Sequence, residues 1–375
     1  MTKFKPATIT AQASGATDPL TGGVVPPIQP STTFLRGRDY ELLNGEYSYA
    51  RYHNDAGKIA EKTLAILEQA ADSALFPSGM AATAAVFRTL KNGGSAVIQS
   101  GIYHGTTHWI RDFCARRDIT LHELDTSDQT VLESVGKTDL IWIETPSNPW
   151  LKITDIRYAA RIAKRAGAIL VVDSTAATPI LSQPLTLGAD LVMHSATKAI
   201  NGHSDVLAGV LACREKNPLW DHILAERAGA GAVIGPFEAW LLIRGIRTLP
   251  LRVANMCQNA EKIADFLKDH PAVEEVFYPG LPGFPGYQIA AEQMTGGFGF
   301  LMSVRIKGDA ANALNVAGRL NLFHRATSLG GVESLVEHRH TIEPDTGVPE
   351  NLLRLSIGIE DAGDLIDDLG QALGQ

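Results

Sequence analysis

The sequence predicts an α/β protein, in which a large, mostly parallel sheet domain is followed by a smaller α+β domain. Short apolar runs alternate with helical patterns over the first part of the 375 residues, as in a parallel sheet with helices on both faces. Two of these runs lead into polar residues, at 168–173 and 191–198. Ligands bind at the carboxyl edge of such sheets, so both segments are candidates for a site. Strand patterns at 273–278, 298–306 and 352–357, with helical patterns around them, predict the second domain.

The individual elements follow from the spacing of apolar residues. Short apolar runs bounded by turn residues predict strands, and apolar residues recurring every three or four positions predict helices. The predicted strands of the first domain are 74–76, 96–100, 119–124, 140–144, 168–173, 191–193 and 208–212. The predicted helical stretches are 57–70, an alanine-rich helix after Met80, 155–165, 235–269, 309–320 and 361–373.

The first 55 residues are rich in Pro, Gly and Thr and show little periodicity, which predicts an extended arm. Aromatic residues such as Phe34 and Tyr40 are atypical of a disordered tail. They predict that the arm packs on another surface, often that of a second subunit. We therefore divide the chain into an arm (1–55), an α/β domain (56–236) and a C-terminal α+β domain (237–375).

Composition limits the classes of partner. The net charge of −8 provides no basic footprint for nucleic acid, and no apolar run approaches the roughly 18 residues that span a membrane. Residues 1–6 lack the apolar core of a signal peptide, and Cys114, Cys213 and Cys257 have no metal-binding or redox spacing. We predict a cytoplasmic protein with reduced thiols, no nucleic-acid partner and no membrane span.

The turn Ser-Ala-Thr-Lys at 195–198 is the strongest candidate for chemistry. The hydroxyls of Ser195 and Thr197 can hold a phosphate, while the Lys198 amine can form a Schiff base with a carbonyl cofactor. Such a short string also occurs in ordinary surface loops. Upstream, however, Asp173 ends a predicted buried strand, where a carboxylate can pair with a protonated ring nitrogen. Together these residues predict pyridoxal 5'-phosphate (PLP) as the cofactor.

With these residues the sequence resembles the PLP-dependent trans-sulfuration enzymes of cysteine and methionine metabolism, over about residues 22–360. The motifs that carry the resemblance are Tyr-Ala-Arg at 49–51, Ser-Gly-Met at 78–80, Glu-Thr-Pro-Ser-Asn-Pro at 144–149, Asp-Ser-Thr at 173–175, Ser-Ala-Thr-Lys at 195–198, Gly-His-Ser-Asp at 202–205, Ser-Leu-Gly-Gly-Val-Glu-Ser at 328–334 and Leu-Arg-Leu-Ser-Ile-Gly-Ile-Glu at 353–360. The resemblance implies the fold type I architecture of PLP-dependent transferases, as in aspartate aminotransferase. It also implies a small amino-acid substrate.

The resemblance further implies which residues face the cofactor. Tyr103 is expected to stack on the pyridine ring and to share proton transfer with Lys198, so both are predicted to be catalytic. Asn148 is expected to bond the phenolic oxygen of the cofactor and the substrate carboxylate. The backbone N–H groups of Gly79 and Met80, at a predicted helix start, are expected to bind the phosphate.

Two further pairs of residues complete the predicted site. By resemblance, Tyr49 and Arg51 bind the cofactor phosphate of the neighbouring subunit, which implies a dimer at least and usually a tetramer. Arg354 lies in an otherwise apolar strand and needs an anionic partner. A protein salt bridge would meet that need, whereas the resemblance implies that Arg354 and Ser328 bind the α-carboxylate of the substrate.

Two histidine features are predicted to lie outside the chemistry. His104 is expected to face solvent, and the His-Arg-His string at 338–340 is expected to form a solvated loop. The string offers too few ligands for a metal, and PLP chemistry needs none. We therefore predict no metal site.

The reaction is less sharply defined than the family. Thr327 stands where cystathionine γ-synthases and γ-lyases commonly carry glutamate, and Leu329 stands where β-lyases of one branch carry tryptophan. The motif at 328–334 is closer to the γ-type members, so we predict cystathionine γ-synthase or γ-lyase activity. Cystathionine β-lyase and methionine γ-lyase are alternatives. A non-catalytic binding module is a remote alternative, because Lys198 and Arg354 are both present.

Overall fold

The structure is a computed structural model that describes residues 4–374. Residues 1–3 of the predicted arm and residue 375 of the predicted C-terminal domain lie outside this range. A large sheet forms first along the chain. Its strands are β1 (Asp72–Phe76), β2 (Ser95–Gln99), β3 (Thr120–Leu124), β4 (Leu140–Glu144), β5 (Ile169–Asp173), β6 (Leu191–His194) and β7 (Gly209–Cys213).

The large sheet has the strand order β1-β7-β6-β5-β4-β2-β3. Its strands pair in parallel from β6 through β5, β4 and β2 to β3, and only β7 pairs antiparallel, with β1 and β6. The predicted mostly parallel α/β sheet is therefore confirmed. Because β4 and β5 pair in register, Glu144 and Asp173 lie side by side at the carboxyl edge.

Helices connect and cover the strands. They are α1 (Pro6–Ala11), α2 (Asp55–Leu67), α3 (Gly79–Phe87), α4 (His104–Ala115), α5 (Gln129–Glu133), α6 (Ile156–Ala166), α7 (Thr178–Leu181), α8 (Pro218–Gly229), α9 (Pro236–Ile246), α10 (Leu249–Lys268), α11 (Tyr287–Gln293), α12 (Ala310–Arg319), α13 (Arg339–Ile342) and α14 (Ala362–Leu373). Asp155 caps α6 through the N–H of Tyr158, and Asp309 forms a capping box with Asn312 in α12. Both helices were predicted to within two residues of these bounds.

The apolar core lies on both faces of the large sheet. Successive strand residues point to opposite faces, so Trp142 packs in a cluster with α3 and α4 residues, whereas Ile141 and Ile143 pack in another with α6 residues. The strands therefore consist of nearly continuous apolar residues in the sequence, as is typical of parallel strands that are buried on both faces. This arrangement leaves the polar residues at the strand ends as the lining of the sheet edge.

A second, five-stranded sheet has the order β10-β11-β12-β9-β8. Its strands are β8 (Val273–Phe277), β9 (Leu301–Ile306), β10 (His324–Arg325), β11 (Leu335–His338) and β12 (Leu352–Ser356). Strands β8, β9 and β12 were predicted, whereas β10 and β11 were not. The loop predicted at 338–340 is wrong, because β11 runs through His338 and α13 begins at Arg339.

The N-terminal segment is mostly irregular. After α1, which was not predicted, residues 16–54 contain two isolated bridges, Thr33–Tyr49 and Arg36–Leu42, in place of strands. Leu20 in this segment is largely exposed. Within residues 4–374, no helix combines the length and apolarity needed to cross a membrane.

Candidate active site

A cavity of about 410 Å³ lies at the carboxyl edge of the large sheet, and residues of β11 and β12 close its other side. It brings together most of the residues predicted to form the site. These are Gly79, Met80, Tyr103, Asn148, Asp173, Ser195, Thr197, Lys198, Ser328 and Arg354. Tyr49 and Arg51 are not among the residues of this chain that line the cavity.

One end of the cavity is formed by the start of α3 and the turn after β6. The two segments are in close contact, since a Cβ atom on Gly79 would lie 2.9 Å from Cβ of Ser195. The start of α3 also lies against the first residue of β7, since a Cβ on Gly209 would lie 2.1 Å from the carbonyl oxygen of Ser78. Both glycines are thus required for close approach of the backbone. The free N–H groups of a helix start and the Ser195 hydroxyl face the same space, which suits an anion.

Thr197 is held by the backbone of Ala208, the residue that precedes β7. Its Oγ1 donates to the carbonyl oxygen of Ala208 at 3.1 Å and accepts the N–H of Ala208 at 2.9 Å. The N–H of Ser195 donates to Oγ1 of Thr175 at 2.8 Å. These bonds fix the turn that precedes Lys198.

Asp173 presents a buried carboxylate at the end of β5. Its Oδ1 accepts both the N–H of Thr175 at 3.0 Å and the Oγ1–H at 2.5 Å. Burial raises the pKa of Asp173 above its ordinary value, while the Thr175 bonds and the His194 charge act in the opposite direction. A cation against this carboxylate, such as a protonated ring nitrogen, would favour the ionised form.

Lys198 faces the C-terminal half of the chain. Its Nζ donates to Oγ of Ser328 at 2.8 Å, and Ser328 itself has a left-handed backbone with φ of 89°. Burial, with a further contribution from the charge of Arg354, lowers the pKa of Lys198 to about 8. A neutral amine, which is both nucleophile and base, is therefore accessible near neutral pH.

Arg354 is fully buried in β12 and has several partners. Its Nη1 donates to Oδ1 of Asn148 at 3.4 Å, and its Nη2 donates to the carbonyl oxygen of Ser328 at 2.5 Å. The same Nη2 lies 2.5 Å from Oε2 of Glu337. Burial lowers the pKa of Arg354 to about 10. The salt bridge considered from sequence is thus present, and the guanidinium still lines the cavity.

Arg339, predicted to be solvated, is only 2% exposed and lines the cavity. It forms ion pairs with Glu337, at 2.9 Å, and with Glu343. Nδ1 of His104 lies 3.2 Å from Glu343, and the His104 side chain is 34% exposed, so the prediction that it faces solvent holds only in part. Sequence reasoning missed this charged cluster, although the apolar pair Leu335–Val336 before Glu337 is a strand signal.

Glu144 was also missed as a functional residue. Its Oε2 accepts the N–H of Tyr103 at 3.1 Å, and its Oε1 accepts the N–H of Asn148 at 2.7 Å. The sequence did contain a signal for this role. The predicted strand at 140–144 ends in Glu144, and an acid at the carboxyl end of a buried parallel strand lies where ligands bind.

Tyr49 and Arg51 lie together elsewhere on this chain. The Arg51 guanidinium is 5.7 Å from the centre of the Tyr49 ring and 5.2 Å from that of Tyr52. Nη1 of Arg51 donates to the carbonyl oxygen of Ala228 at 2.9 Å. The chain itself therefore does not bring this pair to Lys198.

Comparisons with known proteins agree with the fold and identify the family. The profile of the family described as Cys/Met metabolism PLP-dependent enzyme matches residues 7–374. The chain is 43% identical to cystathionine gamma-synthase of Mycobacterium tuberculosis strain H37Rv, over 98% of this chain and 97% of that protein. It is 41% identical to cystathionine gamma-lyase of Bacillus subtilis strain 168, over 95% and 96%.

The fold matches the crystal structure of metB from Corynebacterium glutamicum with a TM-score of 0.95, at 41% identity over 99% of this chain and 98% of that one. These findings define a PLP-dependent enzyme of the α/β transferase fold. The chain belongs to the Cys/Met metabolism PLP-dependent enzyme family.

The cavity fits this cofactor on physical grounds. The cradle between Gly79 and Ser195 suits a phosphate, Asp173 suits a protonated ring nitrogen, and Lys198 suits a carbonyl carbon. The three features differ in charge and line one cavity of about 410 Å³. These three features match the phosphate, the ring nitrogen and the carbonyl group of PLP.

Proposed function

We propose that the protein catalyses a γ-replacement or γ-elimination on a sulfur amino acid or homoserine ester, as a cystathionine γ-synthase or γ-lyase. The observation that carries the proposal is that relatives with these two names are 43% and 41% identical to this chain over nearly its full length. Leu329, which lines the cavity next to Ser328, supports it, because one branch of β-lyases has tryptophan at this place.

We propose that the cofactor is held at four places. Gly79, Met80, Ser195 and Thr197 would bind the phosphate, with Tyr49 and Arg51 supplied by the neighbouring subunit. Asp173 would face the ring nitrogen, Asn148 the phenolic oxygen, and Tyr103 the ring face. The common cavity supports this assignment for all of these residues except Tyr49 and Arg51, which rest on the family resemblance.

For the substrate, Arg354 would bind the α-carboxylate through its planar fork of donors, with Ser328 and Asn148 beside it. Those two residues already contact Arg354. A carboxylate fixed in this way decides which bond at Cα is aligned for cleavage. Orientation of this kind is a large part of what a binding site contributes to rate.

Proton transfer would fall to Lys198 and Tyr103. Bound PLP supplies a carbonyl for linkage to an amine and a ring that accepts the electron pair left at Cα. Nζ of Lys198 would take the Cα proton, because its lowered pKa makes the neutral, basic amine accessible near neutral pH. A γ-reaction then requires removal of a second proton, from Cβ, before the substituent on Cγ leaves. Tyr103, which lines the same cavity, would assist.

We also propose a cytoplasmic homo-oligomer, a dimer at least and by family resemblance a tetramer. The exposure of Leu20, Leu35 and Tyr40 in the N-terminal segment supports an arm that packs on a second copy. An active monomer in solution would contradict this assembly.

The decisive experiment is to incubate the PLP-loaded protein with L-cystathionine and identify the oxo acid that is released. 2-Oxobutyrate, with cysteine as the other product, is expected for γ-elimination. Pyruvate, with homocysteine, would instead assign β-elimination and a cystathionine β-lyase.

A synthase can be a weak lyase, so the second assay supplies an acylated homoserine with cysteine. Formation of cystathionine is expected for a γ-synthase. Release of methanethiol from methionine would instead favour a methionine γ-lyase. A protein that binds PLP but is inactive in all these assays would revive the non-catalytic binding module.

A further inference from the structure

Glu144 joins two loops that come from different parts of the chain. Tyr103 lies between β2 and α4, and Asn148 lies in the turn after β4. One carboxylate oxygen of Glu144 accepts the N–H of Tyr103 at 3.1 Å, and the other accepts that of Asn148 at 2.7 Å. Two separate segments of the cavity wall are thus fixed by a single side chain.

The position of this carboxylate is physically demanding. Glu144 is buried at the sheet edge beside Asp173, its partner in the parallel register of β4 and β5. A buried carboxylate is strongly disfavoured unless its oxygens are bonded, and a second carboxylate beside it adds repulsion. The backbone of Glu144 is itself anchored, since its N–H donates to Oε1 of Gln99 at 3.0 Å.

The charges around Glu144 connect its state to the cofactor. Burial and the neighbouring Asp173 raise the pKa of Glu144, whereas the two N–H bonds and the charge of Arg339 lower it. A ring-nitrogen cation against Asp173 would offset the repulsion by that carboxylate. The ionised form of Glu144, which is the stronger acceptor, is then favoured.

We propose that Glu144 is a positioning residue that holds Tyr103 and Asn148 in place against PLP and strengthens this hold when the cofactor is bound. The carboxylate need not touch cofactor or substrate for this role. It acts through the backbone of two residues that line the cofactor cavity. The inference rests on the cofactor and is independent of which reaction the family member catalyses.

The test uses the Glu144→Gln variant of the full-length protein. The amide keeps one acceptor oxygen but places an NH₂ group against one of the two N–H donors. We expect the Kd for PLP to rise about tenfold, because a hydrogen bond to a charged group is worth roughly this factor and the proposal has it strengthen when the cofactor binds. At saturating PLP we also expect an altered visible circular-dichroism band, because that band reports how the ring is oriented.

The chain offers a matched control in Asp368. This carboxylate also accepts two backbone N–H groups, from Asn321 at 2.9 Å and Leu322 at 2.8 Å, but it lies beside the second sheet. Asp368→Asn should lower the stability of the fold and leave both the Kd for PLP and the dichroism band unchanged. A general loss of stability therefore does not imitate the expected result.

Glu144→Asp provides a second variant if the glutamine variant does not fold. Aspartate keeps the charge but is one methylene shorter, so it reaches only one of the two N–H groups. Its Kd for PLP and its dichroism band should lie between those of the wild type and the glutamine variant. Wild-type affinity and an unchanged band in either variant would overturn the proposal. A protein with these binding properties but no trans-sulfuration activity would instead overturn the proposed function alone.

Discussion

Glu337 and Arg354 lie directly opposite each other on β11 and β12, with Oε2 of Glu337 2.5 Å from Nη2 of Arg354. The same oxygen lies 2.9 Å from Nη1 of Arg339. One carboxylate therefore contacts two buried guanidinium groups in the cavity wall, and Glu343 supplies a second negative charge beside Arg339. Because a buried charge without a partner is strongly unfavourable, Glu337 keeps Arg354 in place before any substrate carboxylate arrives.

The first prediction concerns the Glu337→Gln variant. It leaves Arg354 without its anionic partner, so we expect the free energy of unfolding to fall by about 3 kcal/mol. An amino-acid ligand such as L-norleucine, at saturation with the PLP-loaded protein, should restore part of this loss, because its carboxylate replaces the missing charge. Urea titrations with and without the ligand measure both effects.

The control is Asp112→Asn, which removes the partner of Arg116 in an exposed ion pair. Such a pair contributes about 1 kcal/mol or less. The role given to Glu337 is wrong if its variant is as stable as this control, or if the ligand stabilises wild type and variant equally.

The second prediction compares two replacements of Arg354. Arg354→Met removes the charge that would bind the α-carboxylate, and KM should rise about a hundredfold. Arg354→Lys keeps a positive charge but lacks the planar fork, so a smaller rise of about tenfold is expected. Steady-state kinetics with the substrate identified above provide the measurement.

Arg305→Met is the matched control, because Arg305 of β9 pairs with Glu274 of β8 in the same sheet and does not line the cavity. Its KM should equal that of the wild type. A lysine variant with unchanged KM would argue that Arg354 serves the salt bridge to Glu337 alone.

The third prediction follows from the pKa of Lys198, which burial lowers from its ordinary value to about 8. The neutral amine attacks the carbonyl of PLP, so attachment to the apoprotein should accelerate about tenfold per pH unit below this pKa and level off above it. The charge of Arg354 contributes to the lowering. The midpoint should therefore shift to higher pH in Arg354→Met.

Rapid-mixing absorbance measurements of PLP attachment at several pH values test this dependence. Lys137→Ala, a change at an exposed lysine, should leave the midpoint unchanged. A rate that continues to rise tenfold per unit through pH 10 would mean that Lys198 has the pKa of an ordinary lysine.

The sequence was most informative where a functional residue ends a strand. Asp173 ends β5, and the turn that follows β6 carries Lys198. Strands can be predicted from short stretches of sequence. Because parallel strands place their carboxyl ends at one edge of the sheet, the position of both residues at that edge follows. Most of the residues that the motifs and the sheet edge predicted for the site do line the cavity.

The charged cluster behind Arg354 could not be found in the same way. Glu337 contacts Arg354 only because β11 and β12 pair in this register. Charged side chains are buried only where an opposite charge lies beside them, and the sequence does not show which residues lie side by side. Read alone, the His-Arg-His string beginning at His338 is polar and predicts a loop. Arg339 is buried because Glu337 and Glu343 surround it, which is information from tertiary structure.

The last prediction tests whether active sites are shared between subunits. Arg51 does not line the cavity that contains Lys198 in its own chain. If Arg51 binds the phosphate of the neighbouring subunit, Arg51→Ala and Lys198→Ala should each be nearly inactive as separate homo-oligomers. The Lys198 variant should still bind PLP, without the covalent linkage.

In a hybrid dimer, one site receives the intact Lys198 of one subunit and the intact Arg51 of the other. Co-expression of the two variants in equal amounts should therefore restore about a quarter of the wild-type activity per site. If both residues served the same subunit's site, every site in the hybrid would lack one of them, and no activity would return.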